Sequence, residues 1–255
     1  MMILEKTQQT GIIERFKKAA KKLVLLDYDG TLVTYRPKPE QALPSESLLD
    51  ILKRLAEQRE TELIIISGRD HPDIDSLLGD LPIKIIAGHG AIVKENGVWI
   101  NQVSDDIMWK ETIRPVLEHM SLKCPDSFIE DKHFSLAWHY RNTDHKSAYG
   151  YSRQLIKQLE KFSDRLGLKV LDGNKVVEIM RKEIGKGIAV GKLLKGESYD
   201  FILSIGDDVT DEEIFELFTD RREAVTIKVG NGSTHAKYYF SSVEEVVLLL
   251  KLLSE

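Results

Sequence analysis

The stretch "LVLLDYDGTL", residues 23–32, places four apolar residues directly before two aspartates that stand one residue apart. A continuous apolar run of this kind is typical of a strand buried on both faces of a parallel sheet. Side chains two positions apart on an extended segment point the same way, so Asp27 and Asp29 can contact one ligand together. The stretch therefore predicts a buried strand that ends in a pair of like charges.

Two other apolar runs also end in residues that can carry chemistry. The run "LIII" leads into Ser67, Gly68 and Arg69, and "FILSIG" leads into Asp207 and Asp208. Ligands of open α/β sheets bind beyond the carboxyl ends of the strands, so we expect these groups to meet there. Clustered carboxylates repel one another beside a core, and Mg²⁺ would neutralise them while leaving positions for phosphate oxygens. Together the strand ends predict a site for Mg²⁺ and a phosphate.

The order of patterns along the chain predicts an α/β fold in two parts. Buried strands alternate with helices over residues 1–105 and again over residues 184–255, which favours a Rossmann-like parallel sheet with right-handed crossovers. Residues 106–183 differ: they contain strands in hairpin spacing, and "FSLAWHYR" alternates as in an antiparallel sheet covered on one face. We therefore expect a discontinuous core with an inserted α+β domain.

The composition narrows the class of partner and the compartment. A net charge of -5 gives no basic field for phosphate backbones, so nucleic acid is not expected as a partner. No apolar run approaches the roughly 20 residues of a membrane-spanning helix, which predicts a soluble protein without membrane contact. The single cysteine, Cys124, cannot form an internal bridge, and no secretory signal is recognisable, so we expect a cytoplasmic location.

Some candidate residues also have a purely structural explanation. Thr210 and Glu213 have capping-box spacing, and Asp211 between them would be a first-turn acid that suits the helix dipole and supports a metal indirectly. Ser67 has the character of a turn or N-cap serine. Lys186 stands at the start of a predicted helix, where a cation is disfavoured unless an anion is near, so its position favours function.

Four motifs on these elements, "DYDGT", "SGR", "GKG" and "GDDVTD", resemble those of the haloacid-dehalogenase-like phosphatases in the same order. The inserted domain resembles the cap of the sugar-phosphatase branch. Within that branch, "AGHGAIVKENGVW", "IEDKHFSLAWHYRN" and "KVVEI" are similar to stretches of trehalose-6-phosphate phosphatases. One departure is Gly88, because the family often has a glutamate before the histidine found here as His89.

The resemblance implies a Mg²⁺-dependent enzyme that hydrolyses trehalose 6-phosphate through an aspartyl-phosphate intermediate. Asp27 would be the nucleophile and Asp29 the general acid and base, with Ser67 and Lys186 binding the transferring phosphoryl group. The Asp27 carboxylate, the Asp29 carbonyl and Asp207 would bind Mg²⁺. The further residues implied for this site are Gly68 and Arg69 as substrate ligands and Thr31, Asp208 and Asp211 in supporting positions.

The resemblance assigns recognition of the sugar to the cap. Carboxylates combined with lysine or arginine suit the hydroxyl groups of a sugar, and the residues implied are Glu130, Lys132, Arg141 and Glu178. Glu130 and Lys132 stand one residue apart, so they share a face of a strand. The partners implied are a small-molecule sugar phosphate as substrate and a trehalose-phosphate synthase as a protein partner.

Other interpretations of the same motifs stay open. A phosphatase for sucrose phosphate, mannosyl phosphoglycerate or a hexose phosphate would differ only in the cap stretches, and a phosphomannomutase would share the core motifs. A receiver domain also combines aspartates, a lysine and Mg²⁺, but it has about half this length and no place for the insertion. A non-catalytic subunit that regulates a sugar synthase is disfavoured by the intact Asp27, Asp29, Lys186 and Asp207.

Overall fold

The computed structural model describes residues 2–4 and 6–255, which form thirteen strands and eight α-helices. The strands are β1 (Met2–Ile3), β2 (Lys22–Asp27), β3 (Thr61–Ile66), β4 (Lys84–Ala87), β5 (Ile92–Glu95), β6 (Val98–Asn101), β7 (Phe128–Asp131), β8 (Ser135–His139), β9 (Leu168–Gly173), β10 (Val176–Arg181), β11 (Phe201–Gly206), β12 (Ala224–Val229) and β13 (Tyr238–Phe240). The helices are α1 (Lys6–Lys18), α2 (Glu46–Ala56), α3 (His71–Leu78), α4 (Trp109–Lys123), α5 (His145–Leu166), α6 (Lys186–Leu193), α7 (Val209–Leu217) and α8 (Val243–Ser254). Within this described part of the chain, no helix is both long enough and apolar enough to cross a membrane.

The chain divides into two compact units. The first unit consists of the residues up to Ile100 together with Gly185–Glu255, and the second unit is Asn101–Ile184. These limits lie within a few residues of the divisions between 105 and 106 and between 183 and 184 that the sequence predicts. The first unit is thus built from two separate stretches of the chain.

The first unit contains a nine-stranded sheet in the order β1-β13-β12-β11-β2-β3-β4-β5-β6. Strand β2 lies at its centre, in parallel register with β11 on one side and β3 on the other. All six residues of β2 are buried, and Leu23 and Leu25 belong to one core cluster with Val190 of α6 and Ile214 of α7. Burial on both faces explains why this strand reads as a continuous apolar run. Its last residue, Asp27, lies at the carboxyl edge of the sheet.

The outermost strands on one side of this sheet, β1 and β13, were not expected from the sequence. They span only two and three residues, too few for an alternating pattern to be recognised. Strands β5 and β6 are neighbours joined by a short turn, and both turn residues, Asn96 and Gly97, have positive φ angles of 50° and 79°. This is the conformation that a two-residue hairpin turn of Asn-Gly favours.

The second unit contains a four-stranded antiparallel sheet in the order β7-β8-β10-β9. Along β8, Leu136 and Trp138 are fully buried in a core cluster that also includes residues of α4 and α5. Because side chains alternate along a strand, Ser135, Ala137 and His139 point to the opposite face. The helices therefore cover one face of this sheet, and the other face carries polar residues.

Candidate active site

Three polar residues stand where neighbouring strands of the first unit end. Asp27 is the last residue of β2, Ser67 follows β3, and Asp207 follows β11. Since these three strands are adjacent and parallel, their carboxyl ends share one edge of the sheet. Asp27 and Ser67 are buried, and Asp207 is half-buried. The fold thus places at neighbouring strand ends the residues that lie far apart in the sequence.

Lys186, the first residue of α6, reaches the same edge. Its ammonium nitrogen lies 2.6 Å from Asp27 Oδ1 and 2.8 Å from Asp211 Oδ1, and only 2% of its side chain is exposed. Burial alone would lower the pKa of this lysine, but the adjacent Asp211 and Asp27 carboxylates outweigh burial and raise the pKa of Lys186 above its ordinary value. The lysine is therefore a fixed positive charge held between two acids.

Asp207 is held at several points but keeps one carboxylate oxygen without a partner. The Tyr35 hydroxyl donates to its Oδ2 at 2.9 Å, and Lys228 Nζ donates to its backbone carbonyl at 2.9 Å. Its Oδ1 is buried and has no hydrogen-bond partner. Burial, followed by the carboxylates of Asp211 and Asp208, raises the pKa of Asp207 to about 7. A buried oxygen of this kind is one that a bound cation would satisfy.

The carboxylates at this edge carry more negative charge than one lysine can balance. Asp27, Asp207 and Asp211 each offer an oxygen, and the three oxygens lie within 4.8 Å of one another. Burial raises the pKa of Asp27 well above its ordinary value; Lys186 opposes this rise, while Asp211 and Asp207 add to it. Clustered hard oxygen donors are the ligands that Mg²⁺ prefers, so these residues fit a divalent cation of that type.

Asp211 caps its helix differently from the sequence expectation. The capping box of α7 is formed by Asp208 at the N-cap and Asp211 three residues later, not by Thr210 and Glu213. Asp211 Oδ2 accepts hydrogen bonds from the N–H groups of Asp207 and Asp208 at 3.2 and 3.1 Å, and its Oδ1 contacts the lysine of α6. Both of its oxygens have partners, so Asp211 serves to orient its neighbours.

Arg69 pairs with Asp29, a contact that the sequence analysis missed. Its Nε and Nη2 donate to the two carboxylate oxygens of Asp29 at 2.7 and 2.8 Å, and Nη2 also donates to the Pro39 carbonyl at 2.7 Å. A bidentate pair of this type fixes the direction of the carboxylate. Each carboxylate oxygen retains a lone pair that can take up a proton. The guanidinium of Arg69, which the resemblance implies as a substrate ligand, is paired with Asp29 in this structure.

The turn at Gly88–Gly90 holds the segment that follows β3. The N–H of Gly88 donates to the carbonyl of Arg69 at 2.8 Å, and the N–H of His89 donates to the carbonyl of Ser67 at 3.0 Å. His89 has a φ of 56°, and its imidazole lies so close to Gly68 that a Cβ there would be 2.4 Å away. The close approach therefore requires glycine at position 68, and the turn positions the Ser67 segment.

The loop after β2 approaches Asp207 closely. Gly30 has a φ of 86°, and a Cβ at this position would lie 2.4 Å from Asp207 Oδ2. The next residue, Thr31, is fully buried, and its Oγ1 has no hydrogen-bond partner. Only glycine lets the loop pass this carboxylate. Thr31 supplies a buried polar atom that a ligand or water could satisfy.

A second polar cluster lies on the face of the second unit's sheet opposite to α4 and α5. Glu130 of β7 and Glu178 of β10 are both register partners of Ala137 on the strand between them. Lys132 Nζ lies 3.1 Å from Glu178 Oε1 and 3.9 Å from Glu130 Oε2. Ala137 lies between the two glutamates in the register of the sheet. The structure therefore brings together three of the four residues expected to recognise a sugar.

His139 and Ser135 complete this cluster, although neither was selected from the sequence. His139 Nε2 lies 2.7 Å from Glu130 Oε2, and the Ser135 hydroxyl donates to Glu178 Oε1. Burial raises the pKa of Glu130, but the hydrogen bond from His139 and the charge of Lys132 outweigh burial and lower it. The alternation in "FSLAWHYR" places both residues on the face of Ala137, so this signal was available.

Arg141, the fourth residue expected to contact the sugar, follows β8. Its Nη2 donates to the carbonyl of Asn174 at 2.6 Å, in the turn between β9 and β10. This contact ties the guanidinium to the hairpin of β9 and β10. The part of Arg141 in sugar recognition stays a prediction.

The parallel sheet, the acidic strand ends and the buried lysine define a haloacid-dehalogenase-type protein. A family model described as trehalose-phosphatase matches residues 25–244. The chain therefore belongs to the trehalose-phosphatase family. Its fold matches the C-terminal domain of trehalose-6-phosphate phosphatase from C. albicans with a TM-score of 0.92 and 27% identity, covering 100% of this chain and 98% of that one.

Curated relatives are longer than this chain. It is 41% identical over 224 residues to a bifunctional trehalose-6-phosphate synthase/phosphatase of Thermoproteus tenax, covering 88% of the chain and 30% of the relative. It is 30% identical over 285 residues to a trehalose-phosphatase of Saccharomyces cerevisiae, covering 95% of the chain and 32% of the relative. The chain thus spans about a third of the length of these relatives.

Proposed function

We propose that this chain is a Mg²⁺-dependent phosphatase that hydrolyses trehalose 6-phosphate to trehalose and phosphate. The observation that carries the proposal is the pairing of Lys186 with Asp27 and Asp211 beside the unpartnered oxygen of Asp207. A surplus of buried carboxylates beside one fixed lysine suits a cation and a phosphoryl group bound together. Membership of the trehalose-phosphatase family supports the same choice of reaction.

In this proposal, hydrolysis proceeds in two steps through Asp27. A carboxylate oxygen of Asp27 forms a bond to phosphorus as the bond from phosphorus to the sugar oxygen breaks, and Asp29 donates a proton to that oxygen. Asp29 then accepts a proton from water, which attacks phosphorus, releases phosphate and restores Asp27. The bidentate contact with Arg69 would keep Asp29 aimed at the leaving oxygen throughout.

The phosphoryl oxygens would be bound by groups around the nucleophile. The Ser67 hydroxyl, the Gly68 amide and Lys186 would each donate a hydrogen bond to them, which stabilises the charge of the transferring group. Mg²⁺ would be held by the carboxylates of Asp27 and Asp207 with the Asp29 carbonyl, and would supply charge stabilisation at the phosphoryl oxygens. This arrangement would be supported by residues that do not bind the substrate directly, namely Asp208, Asp211 and Thr31.

We assign selection of the sugar to the second unit, which would act as a cap. Glu130 and Glu178 would accept hydrogen bonds from sugar hydroxyl groups, and Lys132, which contacts both glutamates, would donate to them. We also propose a cytoplasmic compartment, since the core packs without any internal disulfide and Cys124 is buried as a thiol. The similarity to a bifunctional synthase/phosphatase supports a trehalose-phosphate synthase as a protein partner.

A screen of phosphate release over a panel of sugar phosphates, with Mg²⁺ and with a chelator, tests the proposal. We expect release from trehalose 6-phosphate with Mg²⁺, little release with the chelator, and at least about tenfold lower kcat/KM for sucrose phosphate and hexose monophosphates. A preference for a hexose phosphate would replace the substrate but keep the mechanism. Absence of turnover on every substrate would favour a non-catalytic regulatory subunit instead.

A further inference from the structure

Tyr35 makes a contact with the candidate metal site that the reaction scheme does not use. Its hydroxyl donates to Asp207 Oδ2 at 2.9 Å, across 172 positions of sequence. The ring also lies beside Gly30, where a Cβ would be 2.6 Å from Tyr35 Cε2. The phenol is therefore packed against the loop of the nucleophile while it bonds to a carboxylate on another strand.

The other contacts of Asp207 leave that carboxylate little freedom. Its N–H donates to Asp211 Oδ2 at 3.2 Å, and its carbonyl accepts from Lys228 Nζ at 2.9 Å. With Oδ2 taken by Tyr35, the oxygen without a partner is Oδ1. Asp207 is thus prepared to offer one oxygen to a cation, not two.

The number of oxygens that a carboxylate offers affects which cation it favours. Mg²⁺ demands a compact octahedral set of ligands, whereas Ca²⁺ accepts more oxygens and often takes both from one carboxylate. We propose that Tyr35 is a positioning residue that restricts Asp207 to one ligand oxygen and so favours Mg²⁺ over Ca²⁺. This inference rests on the proposed function, because it concerns the cation of that same site.

Other hydrogen bonds also fix the loop that carries Tyr35. An effect of the Tyr35 hydroxyl on Asp207 can therefore be distinguished from a general loosening of the loop. The Tyr28 hydroxyl donates to the Ala42 carbonyl at 3.0 Å, and Arg69 donates to the Pro39 carbonyl at 2.7 Å. Arg69 also pairs with Asp29, whereas the Tyr28 hydroxyl donates to a backbone carbonyl. Tyr28 therefore provides a matched control, since Tyr28→Phe also removes one buried phenol hydroxyl from this loop.

The test measures the dissociation constants of Mg²⁺ and Ca²⁺ by calorimetry on chelator-treated protein without substrate. We expect Tyr35→Phe to shift the ratio of the two constants about tenfold towards Ca²⁺, the effect of losing one hydrogen bond to a charged group. Infrared difference spectra with Ca²⁺ should show a smaller splitting of the carboxylate bands in Tyr35→Phe than in the natural protein. Tyr28→Phe should change the ratio by less than about twofold.

The outcomes separate this inference from the proposed function. If the natural protein binds Mg²⁺ but Tyr35→Phe keeps the same ratio and the same carboxylate bands, the selective role of Tyr35 is wrong while the metal site stands. If Tyr28→Phe shifts the ratio as much as Tyr35→Phe, the effect belongs to the loop and the inference is also wrong. If the natural protein binds neither cation, the metal dependence of the proposed function fails together with it.

Discussion

Around Lys186 in the first unit, buried carboxylates outnumber the cation that they share, whereas around Lys132 in the second unit each glutamate has a further partner of its own. Burial and repulsion raise the pKa values of Asp27 and Asp207 in the first cluster. In the second cluster, the hydrogen bond from His139 and the charge of Lys132 outweigh burial and lower the pKa of Glu130. The first cluster keeps one buried carboxylate oxygen without a partner, whereas in the second cluster both glutamates accept hydrogen bonds from neighbouring side chains.

The difference indicates what each cluster can bind. An excess of buried negative charge is costly unless a cation joins it, so the first cluster suits a charged ligand pair such as a metal ion and a phosphate. The hydrogen-bonded side chains of the second cluster can exchange hydrogen bonds with a neutral polyhydroxylated molecule. A sugar phosphate combines both chemical characters in one substrate.

The largest effect on phosphate release is expected when the negative charge of the proposed nucleophile, Asp27, is removed. Asp27→Asn should lower phosphate release by more than about a thousandfold, because an amide cannot form the covalent intermediate. The thermal midpoint of the metal-free variant should change by no more than a few degrees, since one repelling buried charge is removed. Asp50→Asn, at an exposed ion pair with Arg54 on α2, provides a matched control with unchanged release. Undiminished turnover of Asp27→Asn would refute the assignment of the nucleophile.

A smaller effect on catalysis, selective for the sugar substrate, is expected from changes in the cluster around Lys132. Glu130→Ala combined with Lys132→Ala should lower kcat/KM for trehalose 6-phosphate by roughly 10- to 100-fold, but by less than about threefold for a small aryl phosphate. The matched double variant is Arg153→Ala with Asp172→Ala, which removes an exposed ion pair of the same unit. Equal losses on the two substrates would exclude this cluster from the recognition of the sugar.

The smallest effect concerns the pH dependence of stability without metal. The pKa of Asp207 rises from 3.8 to about 7 on folding, so between these values the native state binds more protons than the unfolded state. Its contribution to stability is therefore full below about pH 4 and is lost as the pH rises through about 7. Between pH 5 and pH 8, the melting temperature measured in a chelator should fall by about 4 °C more than the melting temperature measured with Mg²⁺.

The variant Asp207→Asn provides the control for this pH dependence. It lacks the titrating group, so its metal-free melting temperature should fall less over the same range, and added Mg²⁺ should protect it less. If the natural protein and the variant lose the same number of degrees in the chelator, Asp207 is not the source of the dependence.

Much of the fold was predictable because buried parallel strands have a strong sequence signal. The apolar runs before Asp27, Ser67 and Asp207 identify three strands, and the topology of parallel sheets then places their ends at one edge. The strands β1 and β13 were not predictable, since two or three residues carry no periodicity. The capping residues of α7 were assigned wrongly because spacing alone also allowed Thr210 with Glu213.

The contacts that orient the site residues were harder to predict from the sequence. Tyr35 reaches Asp207 only because the loop after Gly30 turns back across the sheet edge, and no local pattern specifies that path. The pairing of Arg69 with Asp29 depends in the same way on the separation of two strand ends in space. Reactive residue types at strand ends can be selected from the sequence, whereas the side chains that orient them depend on tertiary structure.

The division of the first unit between two stretches of chain has a consequence for synthesis on the ribosome. Lys186 stands 159 positions after Asp27, so at about 5–20 residues per second the nucleophile is made about 8 to 30 seconds before its lysine. During this interval strand β2 can pair with β3, but its other edge has no β11 to cover it. The second unit, with its own core cluster, can fold in the meantime. The edge of β2 that β11 covers in the folded protein therefore has no partner strand until β11 has been made.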